Sequence, residues 1–169
     1  WDARTIALLR DAAGRCVVPG RLTAVASAEG AASLLHAAIV AAGAVVPPPD
    51  AHSLHAGFLL AGAMSGHQDR RLVEIVRALE GRGIDVLAFK GPTLAHRLYD
   101  PPWLRASEDL DVLVPRGAFE AAGEVLAGLG YRDLVGKPAA LRRMEERADR
   151  TRTVVNGEGV SVDLQGALS

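Results

Sequence analysis

The sequence predicts an α/β fold in which a helical N-terminal region precedes a small mixed β-sheet. Three observations support it. Helix-type apolar spacing fills the first half, and short apolar runs bounded by glycine begin at Ile84. The third is a hairpin signal, Asn156-Gly157-Glu158-Gly159, between two alternating segments. Because a hairpin pairs its strands antiparallel, the sheet is not expected to be purely parallel. We assign residues 1–83 to the helical region and 84–169 to the α/β core.

Apolar spacing in the N-terminal region predicts three helices. The first ends near Gly14, and the second covers Leu22 to Ala44, with a break at Gly30 left open. Asp50 is a candidate N-cap for a third helix that runs to Glu80, because its carboxylate can accept from free N–H groups at a helix start. The glycines that follow end this helix.

The α/β core is expected to alternate short strands with short helices. A strand is favoured where a brief apolar run lies between glycines, and a helix where proline occupies a first turn. In chain order we predict a strand at 85–89, a helix at 92–99, a strand at 110–114, a helix at 117–129, a weaker strand at 131–135, a charged helix at 138–149, and hairpin strands at 152–155 and 160–165.

Composition narrows the class of protein. Hydrophobic residues make up 49% and charged residues 23% of the chain, a balance typical of globular proteins. The net charge of -1 argues against nonspecific nucleic-acid binding through many phosphate contacts. A single cysteine, Cys16, excludes an internal disulfide framework. No secretory leader follows Trp1, so we expect a cytoplasmic protein.

Residues 30–68 carry only one charged side chain, that of Asp50. The two apolar runs on either side of the Pro47-Pro48-Pro49 break are shorter than the roughly 20 residues of a spanning helix, and they contain serines, histidines and glycines. We therefore expect no membrane role. Helices buried in the core, or in a homodimer interface, are the preferred interpretation.

The most informative stretch for chemistry is the strand that carries Asp109 and Asp111. Alternate residues of a strand share a face, so these two carboxylates point together, about 6.5 Å apart along the strand. Asp163 has the same alternation in the last strand. If the two strands are neighbours, three carboxylates meet on one side of the sheet. Carboxylates without nearby Cys or His favour Mg²⁺ or Mn²⁺, although an isolated Asp-x-Asp is also typical of solvated strand ends.

Lys90-Gly91-Pro92-Thr93 follows the first predicted strand directly. Glycine at a strand-to-helix corner lets phosphate oxygens approach backbone N–H groups, and Lys90 adds a positive charge. A simple turn is the alternative interpretation of Gly91-Pro92. With the carboxylates, the corner points to phosphoryl or nucleotidyl transfer.

Several segments together resemble a bacterial nucleotidyltransferase family of the DNA polymerase β-like superfamily. They are Phe89-Lys90-Gly91-Pro92, Leu98-Tyr99, Leu104-Arg105, Ser107 to Val114, and Val162-Asp163-Leu164. The resemblance is specific over about residues 84–135. It implies that Asp109, Asp111 and Asp163 are catalytic and hold the divalent ions. It further implies that Lys90, Gly91, Arg105 and Ser107 bind the nucleotide.

This resemblance also implies the reaction, in which an acceptor attacks the α-phosphorus of a nucleoside triphosphate and pyrophosphate leaves. The acceptor is left open among small molecules, proteins and RNA.

Three features depart from the family pattern. Lys90-Gly91 stands where the superfamily has Gly-Ser, Gln165 where members often carry His, and the chain ends at Ser169, so a further C-terminal helical part is expected to be lacking. The alternative is a noncatalytic interaction module of the same fold, dimeric through its uncharged helices.

Overall fold

The computed structural model describes residues 2–16, 18–133 and 151–166. Over these ranges the chain forms six α-helices, two short 3-10 helices and one five-stranded mixed sheet. The helices are α1 Ala3–Gly14, α2 Arg21–Ala28, α3 Ala32–Ala42, α4 Pro48–Glu80, α5 Gly91–Leu98 and α6 Phe119–Gly128, and the 3-10 helices are Pro102–Leu104 and Arg116–Ala118. The strands are β1 Leu87–Phe89, β2 Asp109–Val114, β3 Arg132–Asp133, β4 Thr151–Val155 and β5 Ser161–Gly166. The predicted α/β class is confirmed.

The chain divides into two compact units, one of Trp1–Ser65 with Ala95–Ala106 and one of Gly66–Leu94 with Ser107–Ser169. The sequence-based division into residues 1–83 and 84–169 stays a prediction. Among the described helices, none has both the length and the apolar character that crossing a bilayer requires.

In the first unit, the predicted second helix is two helices, α2 and α3. Gly30 lies between them with φ +64°, a left-handed conformation that glycine adopts without a Cβ penalty, so the chain turns there. The core of this unit contains small side chains. Ala26, Ala38 and Ala42 are buried there, as is Leu54 of α4. An alanine-rich sequence therefore builds this unit from closely packed helices.

Asp50 does not cap α4, which already begins at Pro48, so that prediction was wrong. Its fully buried carboxylate instead accepts hydrogen bonds at the start of α2, from the backbone N–H of Gly20 (2.8 Å) and of Thr23 (2.9 Å). The Thr23 hydroxyl donates to it as well, at 2.9 Å. The N-cap residue of α2, Gly20, has no side chain to accept these bonds, and Asp50 supplies the acceptor from a distant part of the chain.

Asp50→Ala is expected to lower the melting temperature by several degrees, because the α2 donors lose their acceptor. The Thr23 N–H, with smaller contributions from Gly20 and the Thr23 hydroxyl, lowers the pKa of Asp50 below its ordinary 3.8 against the opposing effect of burial. This stabilisation is therefore present above pH 3.8 and is lost as the pH falls through the lowered pKa. Thermal unfolding from pH 7 to pH 2 should show a smaller acid-dependent loss in Asp50→Asn, and an identical loss would contradict the assignment.

In the second unit, the strand order is β1-β2-β5-β4-β3. β2 and β5 pair in parallel, whereas the other three pairs are antiparallel, including the predicted hairpin of β4 and β5. One face of the central strands packs into the core, where Leu110, Val112, Val162 and Leu164 are fully buried. That face packs with residues of α4 and α6: Ile75, Leu79, Phe119, Ala122 and Leu126.

One predicted element, and the end of another, fall outside the described residues. The third strand is observed at Arg132–Asp133, and the rest of the predicted span 131–135 lies beyond residue 133. The charged helix predicted at 138–149 also lies outside the described residues.

Candidate functional site

The pairing of β2 with β5 brings the predicted carboxylates onto neighbouring strands. Asp111 lies directly opposite Asp163 in the parallel register, and Asp109 is two residues earlier on β2. Opposed residues of neighbouring strands share a face, as do alternate residues of one strand. The three carboxylates therefore occupy the sheet face opposite the apolar core. The strand adjacency on which the sequence hypothesis depended is confirmed.

Electrostatic repulsion marks this cluster. The pKa of Asp109 is raised from its ordinary value, first by burial and then by the negative charges of Asp111 and Asp163. Like charges held close together disfavour full ionisation unless positive charge is brought to them. A cation on this face of the sheet would therefore reduce the repulsion among the three carboxylates.

Asp111 is the most buried of the three carboxylates, with its side chain 7% exposed. Two nitrogen donors lie 3.4 Å from its Oδ1 atom, the Lys90 ammonium and the Gln165 amide. Lys90 reaches it because Phe89, the last residue of β1, pairs with Asp111. Gln165 reaches it from β5, two residues after Asp163. The residue noted as a departure from the family pattern thus contacts a predicted catalytic carboxylate.

Lys90 and Gly91 form a tight corner between β1 and α5. Both have positive φ, +54° for Lys90 and +35° for Gly91. A Cβ at Gly91 would lie 3.0 Å from both the Asp109 carbonyl oxygen and the Ser107 hydroxyl oxygen, closer than ordinary packing permits. Glycine is therefore required here by close approach as well as by conformation. The structure brings the predicted residues Gly91 and Ser107 to the segment that enters β2.

Ser107 is held from two directions. Its hydroxyl donates to the Asp109 carbonyl oxygen at 3.0 Å, and its own carbonyl oxygen accepts from the Gln68 amide at 2.8 Å. Sequence reasoning missed Gln68, although a signal was present. Gln68 continues the buried stripe of Ile75 and Leu79 on α4 at helical spacing and is itself only 8% exposed. A polar residue in a buried stripe requires a hydrogen-bond partner, which here is the strand entry.

Asp163 has a partner that the sequence reasoning also missed. The Thr153 hydroxyl of β4 donates to its Oδ1 atom at 2.6 Å. No signal for it was present in the sequence, since a pairing symmetric about the predicted turn would set Thr153 opposite Val162, whereas the observed register sets it opposite Asp163. Arg105, the remaining predicted nucleotide contact, follows the first 3-10 helix and belongs to the first unit, so its contribution stays a prediction.

The residues that could bind a divalent cation are the three aspartates on this face of the sheet. Within the described residues, no three His, Cys, Asp or Glu side chains lie close enough to hold a metal ion together. Lys90, Gln165 and Thr153 occupy carboxylate oxygens instead. The chemistry nevertheless fits a hard cation, because the donors are carboxylates, and the pKa of Asp109 is raised first by burial and then by the charges of Asp111 and Asp163. That Asp109, Asp111 and Asp163 hold Mg²⁺ or Mn²⁺ stays a prediction.

A family model described as an uncharacterised nucleotidyltransferase matches residues 16–169, which is most of the chain. No curated protein and no solved structure matches the chain significantly. The matched region contains every site residue discussed above, and it supports a general role in nucleotidyl transfer. The chain belongs to this uncharacterised nucleotidyltransferase family.

Proposed function

We propose that the chain transfers a nucleoside monophosphate from a nucleoside triphosphate to an acceptor, with Mg²⁺ or Mn²⁺ as cofactor. The observation that carries the proposal is the parallel register that sets Asp111 opposite Asp163, with Asp109 on the same face. Family membership supports transferase activity in general. A cytoplasmic location, expected from the sequence, fits a protein that consumes nucleoside triphosphates.

In the proposed reaction an acceptor hydroxyl oxygen bonds to the α-phosphorus. The bond from that phosphorus to the bridging oxygen of the β-phosphate breaks, and its electron pair leaves with pyrophosphate. Asp163 would accept the acceptor's proton, since its carboxylate lies on the polar face of β5. A bound divalent ion supplies Lewis-acid stabilisation of the phosphate oxygens.

Phosphate binding is assigned to the corner between β1 and α5. Lys90 brings an ammonium that is 60% exposed and therefore available to a ligand, although it also lies 3.4 Å from Asp111. Gly91 lets the corner lie close to the entry of β2, because it carries no Cβ to meet the Asp109 carbonyl and the Ser107 hydroxyl, and its backbone N–H is proposed to bind phosphate. Ser107 supports this corner by its bond to the Asp109 carbonyl, and Arg105 is proposed as a further nucleotide contact. The acceptor is proposed to be a small molecule, a protein or an RNA end.

Calorimetric titration with ATP, GTP, CTP and UTP, each with and without Mg²⁺, tests the proposal. We expect magnesium-dependent binding of at least one nucleotide and, with the right acceptor, release of pyrophosphate. A folded sample that binds none of the four, in Mg²⁺ or in Mn²⁺, would overturn the proposed function and favour a noncatalytic module.

Self-association is a second candidate property, favoured by an exposed apolar stripe on α4. Leu60 and Met64 are 61% and 55% exposed and lie four residues apart, so they share one helix face, and the adjacent Leu59 is 59% exposed. The single charged residue of this region, Asp50, is fully buried, so the surface of residues 30–68 carries no charged side chain. A homodimer through this stripe should dissociate in Leu60→Glu, measured by sedimentation velocity over a range of concentrations. A monomeric wild-type chain at all concentrations would contradict it.

A further inference from the structure

Asp163 is held by one residue of the neighbouring strand. β4 and β5 pair antiparallel with Thr153 opposite Asp163, so the two side chains share the polar face of the sheet. The Thr153 hydroxyl donates to Asp163 Oδ1 at 2.6 Å. This distance lies within the normal range for a hydroxyl donor and an oxygen acceptor, with the two atoms in close contact.

The contact at Asp163 differs from those at Asp111. The two donors of Asp111 lie at 3.4 Å, a weak distance for a hydrogen bond, and both come from long side chains with several rotatable bonds. Thr153 has a single rotatable bond to its hydroxyl-bearing carbon, and β-branching restricts that bond further. The hydroxyl therefore fixes the direction of the Asp163 carboxylate at little entropic cost.

We propose that Thr153 is a positioning residue that orients the Asp163 carboxylate for the cation and the acceptor. Its hydroxyl bonds to Oδ1 and thereby restricts rotation of the Asp163 carboxylate. The inference rests on the proposed function, because it assigns to Asp163 a place in the metal site. Residues that hydrogen-bond to metal-binding side chains generally affect metal affinity or activity by about 10–100-fold, which sets the size of the expected effect.

Thr151 provides a matched control. It lies on the same strand and face, two residues before Thr153, and pairs with Gln165. The variants are Thr153→Val, which keeps the shape and removes the donor, Thr153→Ser, which restores the donor, and Thr151→Val. Free Mn²⁺ is measured by electron paramagnetic resonance in the presence of whichever triphosphate the wild-type chain binds most tightly. Pyrophosphate release gives kcat and KM separately.

Thr153→Val is expected to weaken Mn²⁺ affinity and to lower kcat, each by about 10–100-fold, with KM for the triphosphate changed by less than about threefold. Thr153→Ser and Thr151→Val should remain within about threefold of the wild type in both measurements. If Thr153→Val melts well below Thr151→Val, Thr153→Ala takes its place with the same expectation.

Equal Mn²⁺ affinity in Thr153→Val and the wild type would overturn the inference, and so would equal losses in Thr153→Val and Thr151→Val. A wild-type chain that binds neither Mn²⁺ nor nucleotide would instead overturn the proposed function, and the inference with it. The wild-type measurement therefore separates the two failures.

Discussion

Asp109→Asn and Asp111→Asn are each expected to abolish magnesium-dependent nucleotide binding while the chain stays folded. Asn keeps the shape of the side chain but removes the negative charge, and a neutral amide oxygen is a poorer ligand for Mg²⁺ than a carboxylate. We expect affinity for the preferred triphosphate in Mg²⁺ to fall at least about 100-fold, because loss of a direct ligand should cost at least as much as the roughly 10–100-fold that loss of a residue hydrogen-bonded to a ligand costs. Calorimetry with and without Mg²⁺ measures the effect.

The metal-free chain gives a second readout for Asp109. Burial and the charges of Asp111 and Asp163 raise the pKa of Asp109, so its ionised form is disfavoured in the folded chain. Removing that charge in Asp109→Asn should leave the melting temperature at pH 7 unchanged or higher. A variant that loses nucleotide binding yet melts no lower than the wild type distinguishes a functional residue from a structural one.

Glu108→Gln is the matched control for both aspartates. Glu108 precedes Asp109 directly but is exposed, so the same chemical change occurs beside the cluster rather than within it. Its nucleotide affinity should equal that of the wild type. The site assignment would fail if Asp109→Asn and Asp111→Asn both kept wild-type affinity in Mg²⁺, or if Glu108→Gln lost as much affinity as they do.

Replacing Lys90 is expected to weaken nucleotide binding without lowering the stability of the fold. Its backbone is left-handed at φ +54°, a conformation that costs a residue with a side chain about 1–2 kcal/mol. Lys90→Gly relieves this strain, offset by about 0.5–1 kcal/mol for glycine's freedom in the unfolded chain. The free energy of unfolding should therefore be unchanged or higher by up to about 1.5 kcal/mol. Lys90→Met keeps the strained backbone, so its free energy of unfolding should not rise for this reason.

Both Lys90 variants should bind the triphosphate about 10–100-fold more weakly, because a hydrogen bond to a charged group contributes about 1.5–3 kcal/mol. Urea unfolding and calorimetry on the same samples measure the two effects. Wild-type nucleotide affinity in Lys90→Met would remove Lys90 from the phosphate site. A large loss of stability in Lys90→Gly would show instead that the ammonium serves the fold through its contact with Asp111.

Much of the candidate site could be predicted from local pattern alone. Alternation along β2 places Asp109 and Asp111 on one face because the side-chain period of a strand is two residues. Gly91 at a strand-to-helix corner was predicted for the same kind of local reason. These predictions needed only the geometry of one strand or one turn, which neighbouring residues determine.

Contacts between segments that lie far apart in the sequence were harder to predict. Asp50 was expected to cap its own helix, whereas its carboxylate accepts from Gly20 and Thr23, about thirty residues earlier. Both arrangements satisfy free N–H groups at a helix start, and nothing local distinguishes them. Gln68 and Thr153 were missed for a similar reason, since each acts on a residue of another element.

By itself the sequence determined the α/β class, the order of the helices and strands, and the faces on which the acidic residues lie. Those properties follow from backbone period and turn chemistry, which act over a few residues. Only the tertiary structure decided that β5 lies beside β2 in parallel, with Asp163 opposite Asp111. That pairing depends on burying the apolar faces of strands about fifty residues apart in one core, and no local pattern specifies which strands become neighbours.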